Sequence, residues 1–74
     1  MAIVRRFAEE PAARDTKHTE CAGKLRAVES GGEKFIQIDT YGSADREMPG
    51  KVSQSLRLSE DAVQQIIRMA AKHF

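Results

Sequence analysis

The chain has few residues that could form the disulfide bonds or metal sites that often stabilise a small fold. Among its 74 residues there is one cysteine, Cys21, there are two histidines, and there is no tryptophan. A single cysteine excludes an internal disulfide, and we interpret it as a small buried thiol at the start of a strand. His18 and Cys21 have ligand-like spacing, but His73 is distant and a zinc site needs about four ligands. We therefore expect no metal, and we expect no cofactor. Without a disulfide or a metal, so short a chain should have a marginally stable core, which a second copy of the chain would enlarge.

The chain also lacks an excess of charge and a long apolar run. The chain has twelve Lys and Arg and eleven Asp and Glu, so its net charge is close to zero. This balance argues against a protein that coats nucleic acid by bulk charge, but it permits a locally basic surface. No apolar run approaches the roughly 20 residues of a membrane span. Arg5 and Arg6 are not followed by the apolar segment of a signal peptide. We expect a cytoplasmic protein with no membrane contact.

Alternating residues predict a sheet in the middle of the chain. Residues 21–29 and 34–41 alternate with the period of a strand, and the second segment is rich in β-branched and aromatic residues. Gly31 and Gly32 between them are typical of a hairpin turn. Residues 51–58 predict another strand after a charged loop over residues 42–50. Residues 1–7 are interpreted as a first or edge strand, followed by a loop.

The end of the chain predicts a helix with a well-defined start. Ser59 is a favourable N-cap, Glu60 and Asp61 oppose the helix dipole, and Leu58 and Val63 have the spacing of a hydrophobic staple. An apolar stripe with helical spacing should pack on the sheet, and it consists of Val63, Ile66, Ile67, Ala70 and Phe74. The polar residues on the other side of the helix are Gln64, Gln65, Arg68 and Lys72.

These segments together predict one α+β domain over residues 1–74. An N-terminal strand or arm with a loop (1–20) precedes an antiparallel sheet of three to four strands in a β-meander (21–58). An amphipathic helix (59–74) packs on one face of the sheet.

Strand parity assigns the side chains of the sheet to two faces. Ile36, Ile38 and Leu56 should face the helix, which leaves the opposite face open. That open face would carry Lys24, Arg26, Phe35, Gln37, Asp39, Tyr41, Ser53, Ser55 and Arg57. Two aromatic rings and three cations could stack bases and bind phosphates. The alternative is an ordinary solvated face whose two rings are covered by the N-terminal segment.

Three segments resemble a known family: residues 35–41 (FIQIDTY), 48–51 (MPGK) and 56–59 (LRLS). In this order, followed by a C-terminal helix, they resemble the positive-cofactor-four-like transcriptional coactivators over roughly residues 21–69. The chain has Val52-Ser53 where that family commonly has a Lys-Gly pair. The resemblance implies a homodimer with helices at its interface and binding of single-stranded DNA without strong sequence preference. The contact residues that it implies are Lys24, Arg26, Phe35, Tyr41, Lys51 and Arg57.

Two classes of function remain open after this comparison. The first is a non-enzymatic, dimeric module that binds single-stranded DNA or RNA. The second is a protein-interaction adaptor, inhibitor or phage-type regulator. The near-neutral net charge and the surplus apolar surface favour this second class. We expect the chain not to be an enzyme, because Asp39, Asp45 and Glu47 have the pattern of solvated charges and no phosphate loop is present. The expected dimer interface consists of Ile67, Met69 and Phe74.

Overall fold

The computed structural model describes residues 1–42 and 52–74. Within these ranges the strands are β1 (Ala2–Val4), β2 (Gly23–Ser30), β3 (Glu33–Tyr41) and β4 (Val52–Leu58), and the helix is α1 (Glu60–His73). A four-stranded sheet followed by one C-terminal helix confirms the predicted α+β class. No helix in the described residues has both the length and the apolarity needed to cross a membrane.

The sheet has the strand order β1-β4-β3-β2. β3 pairs antiparallel with β2 and with β4, whereas β1 pairs parallel with β4 and aligns Ile3 with Arg57. The sheet is therefore mixed, with β1 as a short edge strand. The predicted β2–β3 hairpin is confirmed, and Gly31 and Gly32 form its turn at φ values of 60° and 80°. Two successive positive φ values explain the glycine pair, because other residues rarely adopt them.

The helix begins where the sequence predicts. The Ser59 side chain accepts a hydrogen bond from the backbone N–H of Ala62 at 3.2 Å, so it is the N-cap. Glu60 and Asp61 lie in the first turn, and Lys72 and His73 lie in the last. The two carboxylates and the Lys72 ammonium complement the partial charges at their own ends of the helix dipole.

The pairing of strands sorts the side chains into two faces. The first, here the apolar face, carries Ala27, Ile36 and Leu58 in one cross-strand row and Leu25, Ile38 and Leu56 in the next. Val63 of the helix lines a groove together with Ile36 and Leu58 of this face, and Phe35 of the other face lines the same groove. The second, here the polar face, carries the alternate residues of every strand. The faces follow the predicted parity, but the expectation of an open polar face is wrong at β3, where Phe35, Gln37 and Asp39 are buried.

The core of the single chain is small. Its buried apolar residues, among those described, are Phe35, Leu58 and Ala62. The apolar stripe predicted on the helix does not pack as expected, because Ile67 is 53% and Phe74 is 98% exposed. The helix is instead buried through Ala62 and Gln65, which lie in its first two turns. Burial of Gln65 was not expected from its place on the polar side.

Cys21 also differs from the sequence prediction. Its thiol is exposed and lies two residues before β2 begins. The interpretation as a small buried thiol is wrong, because no described part of the fold covers this end of the sheet edge, where residues 23–27 of β2 are exposed as well.

Candidate nucleic-acid interface

Cross-strand pairing brings the predicted cations together on the polar face. Arg26, Gln37 and Arg57 form one row across β2, β3 and β4. Lys24 and Asp39 lie in the adjacent row, together with Ser55. Residues from three separate segments thus meet for two reasons. Their side chains point to the same face of the sheet, and the pairing register of the strands places them opposite one another.

Asp39 is the centre of a hydrogen-bond network on this face. Its side chain is nearly inaccessible, with 3% of the residue exposed, so the interpretation of Asp39 as a solvated charge is wrong. The carboxylate accepts from Ser55 Oγ at 2.5 Å, from Arg26 Nε at 2.9 Å and from Gln37 Nε2 at 3.0 Å. Gln37 Oε1 in turn accepts from Arg57 Nε at 2.9 Å. Asp39 therefore orients one guanidinium directly and the other through Gln37.

The same bonds determine the charge states at the centre of the network. The hydrogen bond from Ser55, followed by those from Arg26 and Gln37, lowers the pKa of Asp39 below its ordinary value. The pKa of Arg26 is raised, chiefly by its hydrogen bond to Asp39 and then by Tyr41. Both groups are ionised at neutral pH. Arg26 is thus a cation whose charge is partly balanced by Asp39.

Phe35 lies on the polar face but is not open to solvent. Only 6% of the residue is exposed, and the guanidinium carbons of Arg57 and Arg5 lie 5.9 Å and 6.0 Å from the centre of its ring. Arg5 belongs to the N-terminal segment and bonds Glu33 at 2.7 Å. For this ring the structure matches the alternative interpretation of the face, in which the N-terminal segment covers it. A base could reach the ring only after a guanidinium moved.

Tyr41 is the second predicted aromatic residue, and it is half-buried. The ammonium nitrogen of Lys24 lies 5.0 Å from the centre of its ring. Such a distance is within the range of cation–π contacts. Lys24 and Tyr41 therefore form one local pair, as their common parity suggested. Lys51, the remaining predicted contact, lies outside the described residues.

The polar face has a local excess of positive charge. Among residues 1–42 and 52–74, its cations are Arg5, Lys24, Arg26 and Arg57, and its carboxylates are Glu33 and Asp39. The excess is therefore two charges, against one for the whole chain. No group of three or more His, Cys, Asp or Glu in the described ranges could hold a metal ion.

Arg5 and Glu33 also belong to this face, although neither was assigned to it from the sequence. They are 28 residues apart, and they meet because β1 pairs with β4 at the edge of the sheet. Parity places Glu33 on the same side as Phe35, which was a usable signal. No local pattern indicated the partner of β1, so the position of Arg5 could not be derived.

The predicted interface residues of the helix are exposed in the single chain. The exposed fractions are 53% for Ile67, 47% for Met69 and 98% for Phe74, and Ile66 adds 44%. Leu25 on the apolar face of the sheet is 75% exposed. Apolar surface of this kind is left without cover in one copy of the chain.

Comparison of the chain with protein-family models, with curated proteins and with solved structures gives no match.

Proposed function

We propose that the protein is a non-enzymatic module that binds single-stranded nucleic acid on the polar face of its sheet. One observation carries the proposal: the row of Arg26, Gln37 and Arg57 that Asp39 organises at the centre of this face. Its guanidinium groups are oriented before any ligand arrives. Preorganised cations lose less side-chain freedom when a phosphate binds.

Phosphate recognition is the first part of this proposal. Arg57 bonds Gln37 through Nε, and in the described part of the chain this is its only side-chain hydrogen bond. Its Nη groups can therefore donate to a phosphate, and guanidinium groups bind phosphate oxygens in pairs. Lys24 adds a cation at the end of the face that holds Tyr41. Backbone contacts of this kind do not discriminate between base sequences.

Base stacking is the second part. Bases of single strands stack on aromatic rings and on the planes of arginine side chains. Tyr41 offers a half-buried ring, and Arg57 offers a guanidinium group whose central carbon lies 5.9 Å from the centre of the Phe35 ring. Stacking of this type tolerates any base. The expected ligand is consequently a single strand with little sequence preference.

A homodimer is the third part of the proposal. The single chain buries few apolar residues and leaves Ile67, Met69 and Phe74 of the helix exposed. A second copy packed on these residues would remove apolar surface from water and enlarge the core. The proposal includes a cytoplasmic location, where the exposed thiol of Cys21 stays reduced.

Binding of labelled oligonucleotides tests this function. Fluorescence anisotropy of a thymine oligonucleotide should show binding at about 50 mM salt and much weaker binding at about 200 mM. A duplex that carries the same total number of phosphates is the control, and it should bind more weakly because its bases are not free to stack. Absence of binding to the single strand at the lower salt concentration would refute the proposed function.

A second candidate function is a protein-interaction module without nucleic-acid contact. The exposure of Leu25, at 75%, together with the apolar residues of the helix, favours it. Affinity capture before and after nuclease treatment separates the two functions. Partners that remain after nuclease treatment and bind the purified chain directly would support the second candidate. Partners that disappear would support the first.

A further inference from the structure

The two guanidinium groups that cover Phe35 are held in different ways. Arg57 donates from Nε to Gln37, which is 9% exposed and is itself bonded to Asp39. Arg5 is held by Glu33 through Nη1 at 2.7 Å and Nη2 at 3.3 Å. Its ion pair with Glu33 is solvated, since the two side chains are 63% and 44% exposed. Arg5 is therefore the cation whose side chain can leave the ring more easily.

We propose that Phe35 is a covered base-stacking site and that Arg5 is its exchangeable cover. The ligand is an unpaired base of a single strand together with an adjacent phosphate. The phosphate takes Arg5 from Glu33, and the base takes the place of the guanidinium on the Phe35 ring. This inference rests on the proposed function and adds a site and a residue to it.

The exchange gives Arg5 and the Phe35 ring a new partner each, and it leaves the part-exposed Glu33 carboxylate to solvent. A guanidinium forms the same paired hydrogen bonds with a phosphate as with a carboxylate. The ring exchanges a cation–π contact for a base, and stacked bases are common partners of aromatic side chains in single-strand binding. Ser59 Oγ donates to the Arg5 carbonyl oxygen at 2.8 Å and so holds the backbone of this residue in place during the exchange. Only the side chain changes position.

The Glu33→Gln variant tests the cover. It weakens the attachment of Arg5 and should raise the affinity for a thymine oligonucleotide by about two- to fivefold, since exposed ion pairs are weak. The matched control is Glu29→Gln, which removes the same charge from an exposed residue on the apolar face of the same hairpin. An equal gain in both variants would mean a general charge effect and would overturn the inference.

A double variant tests whether the ring is the group that the cover protects. Phe35→Leu keeps an apolar side chain but removes the aromatic face, so it should lower the affinity and abolish the gain from Glu33→Gln. A gain that persists in the Phe35→Leu background would overturn the inference. Circular dichroism of the variants shows whether they fold.

A measurement on the unmodified protein covers the case in which Phe35→Leu does not fold. A base stacked on Phe35 should shift the ring proton signals of this residue upfield in NMR spectra during titration with the oligonucleotide. Unchanged Phe35 signals at saturation, with binding seen by anisotropy, would overturn the inference and leave the proposed function intact. Absence of binding by the unmodified protein at low salt would instead refute the proposed function.

Discussion

The side-chain amide of Gln65 forms two hydrogen bonds with the backbone N–H and carbonyl of Phe7, as the backbone of a neighbouring β-strand would. Gln65 Oε1 accepts from the Phe7 N–H at 2.8 Å, and Gln65 Nε2 donates to the Phe7 carbonyl oxygen at 3.0 Å. The two residues are 58 positions apart in the sequence, and Gln65 is 7% exposed. A second tie joins the same regions, because Ser59 Oγ bonds the Arg5 carbonyl. The N-terminal segment is thereby attached to the helix at two points.

Replacement of Gln65 by Ala should destabilise the protein by about 1–2 kcal/mol, because both backbone groups of Phe7 lose a partner in a partly buried place. Urea unfolding followed by circular dichroism measures the change. Gln64→Ala is the control, since Gln64 is exposed on the neighbouring helical position, and it should change the free energy of unfolding by less than about 0.5 kcal/mol. Equal stability of the two variants would contradict the structural role of Gln65.

Replacement of Ser59 by Ala should lower the free energy of unfolding by about 1–2 kcal/mol. The variant loses the N-cap bond to Ala62 and leaves the Arg5 carbonyl without its hydroxyl donor. Chemical denaturation with the helical signal at 222 nm is the measurement. The matched control is Ser30→Ala at the exposed end of β2, for which we expect little change. A loss no greater than that of the control would refute the double role of the hydroxyl.

The stability of the protein should depend on the ionisation of Asp39 in acid. Its pKa is lowered in the folded state, first by Ser55 and then by Arg26 and Gln37, so the folded state binds its proton less readily than the unfolded chain does. The resulting stabilisation is present above the ordinary aspartate pKa of about 4 and is lost as the pH falls through the lower folded value.

Urea unfolding from neutral pH to about pH 2.5 tests this dependence. Asp39→Asn should flatten the decrease in stability below about pH 4. Asp15→Asn, which changes an exposed residue of the N-terminal loop, should keep it. If both variants show the same acid profile as the unmodified protein, Asp39 is not the source of the decrease.

Arg57→Gln should weaken binding of a single-stranded oligonucleotide and reduce its dependence on salt. Loss of one phosphate contact lowers the slope of log affinity against log salt concentration by about 0.7 for a single strand. Anisotropy titrations at several salt concentrations give this slope. Arg68→Gln removes the same charge from an exposed position on the helix and is the control. An unchanged slope in Arg57→Gln, or an equal decrease in both variants, would argue against a phosphate contact at Arg57.

Ile67→Glu should convert the proposed dimer into a monomer. Ile67 is 53% exposed in one chain, and a charge buried there between two copies would lack a partner. Sedimentation equilibrium measures the mass of the variant, and Gln64→Glu on an exposed helical position is the control. A monomeric mass for the unmodified protein would contradict the dimer. So would an Ile67→Glu variant that remains dimeric.

Local patterns determined much of this fold. The β2–β3 hairpin follows from alternating residues on both sides of Gly31-Gly32, and the start of the helix follows from the hydroxyl and acidic residues at 59–61. These features depend on neighbours a few residues apart, so the sequence alone specifies them. The same parity assigned Lys24, Arg26, Phe35, Tyr41 and Arg57 to one side of the sheet.

The tertiary structure decided the features that depend on distant partners. Parity placed Phe35 on the polar face, but only the parallel pairing of β1 with β4 brought Arg5 over its ring. Similarly, the sequence places Gln65 on the solvated side of the helix, and it is buried only because the N-terminal segment lies beside it. Burial of a polar side chain depends on whether a hydrogen-bond partner is within reach, and here that partner comes from the other end of the chain.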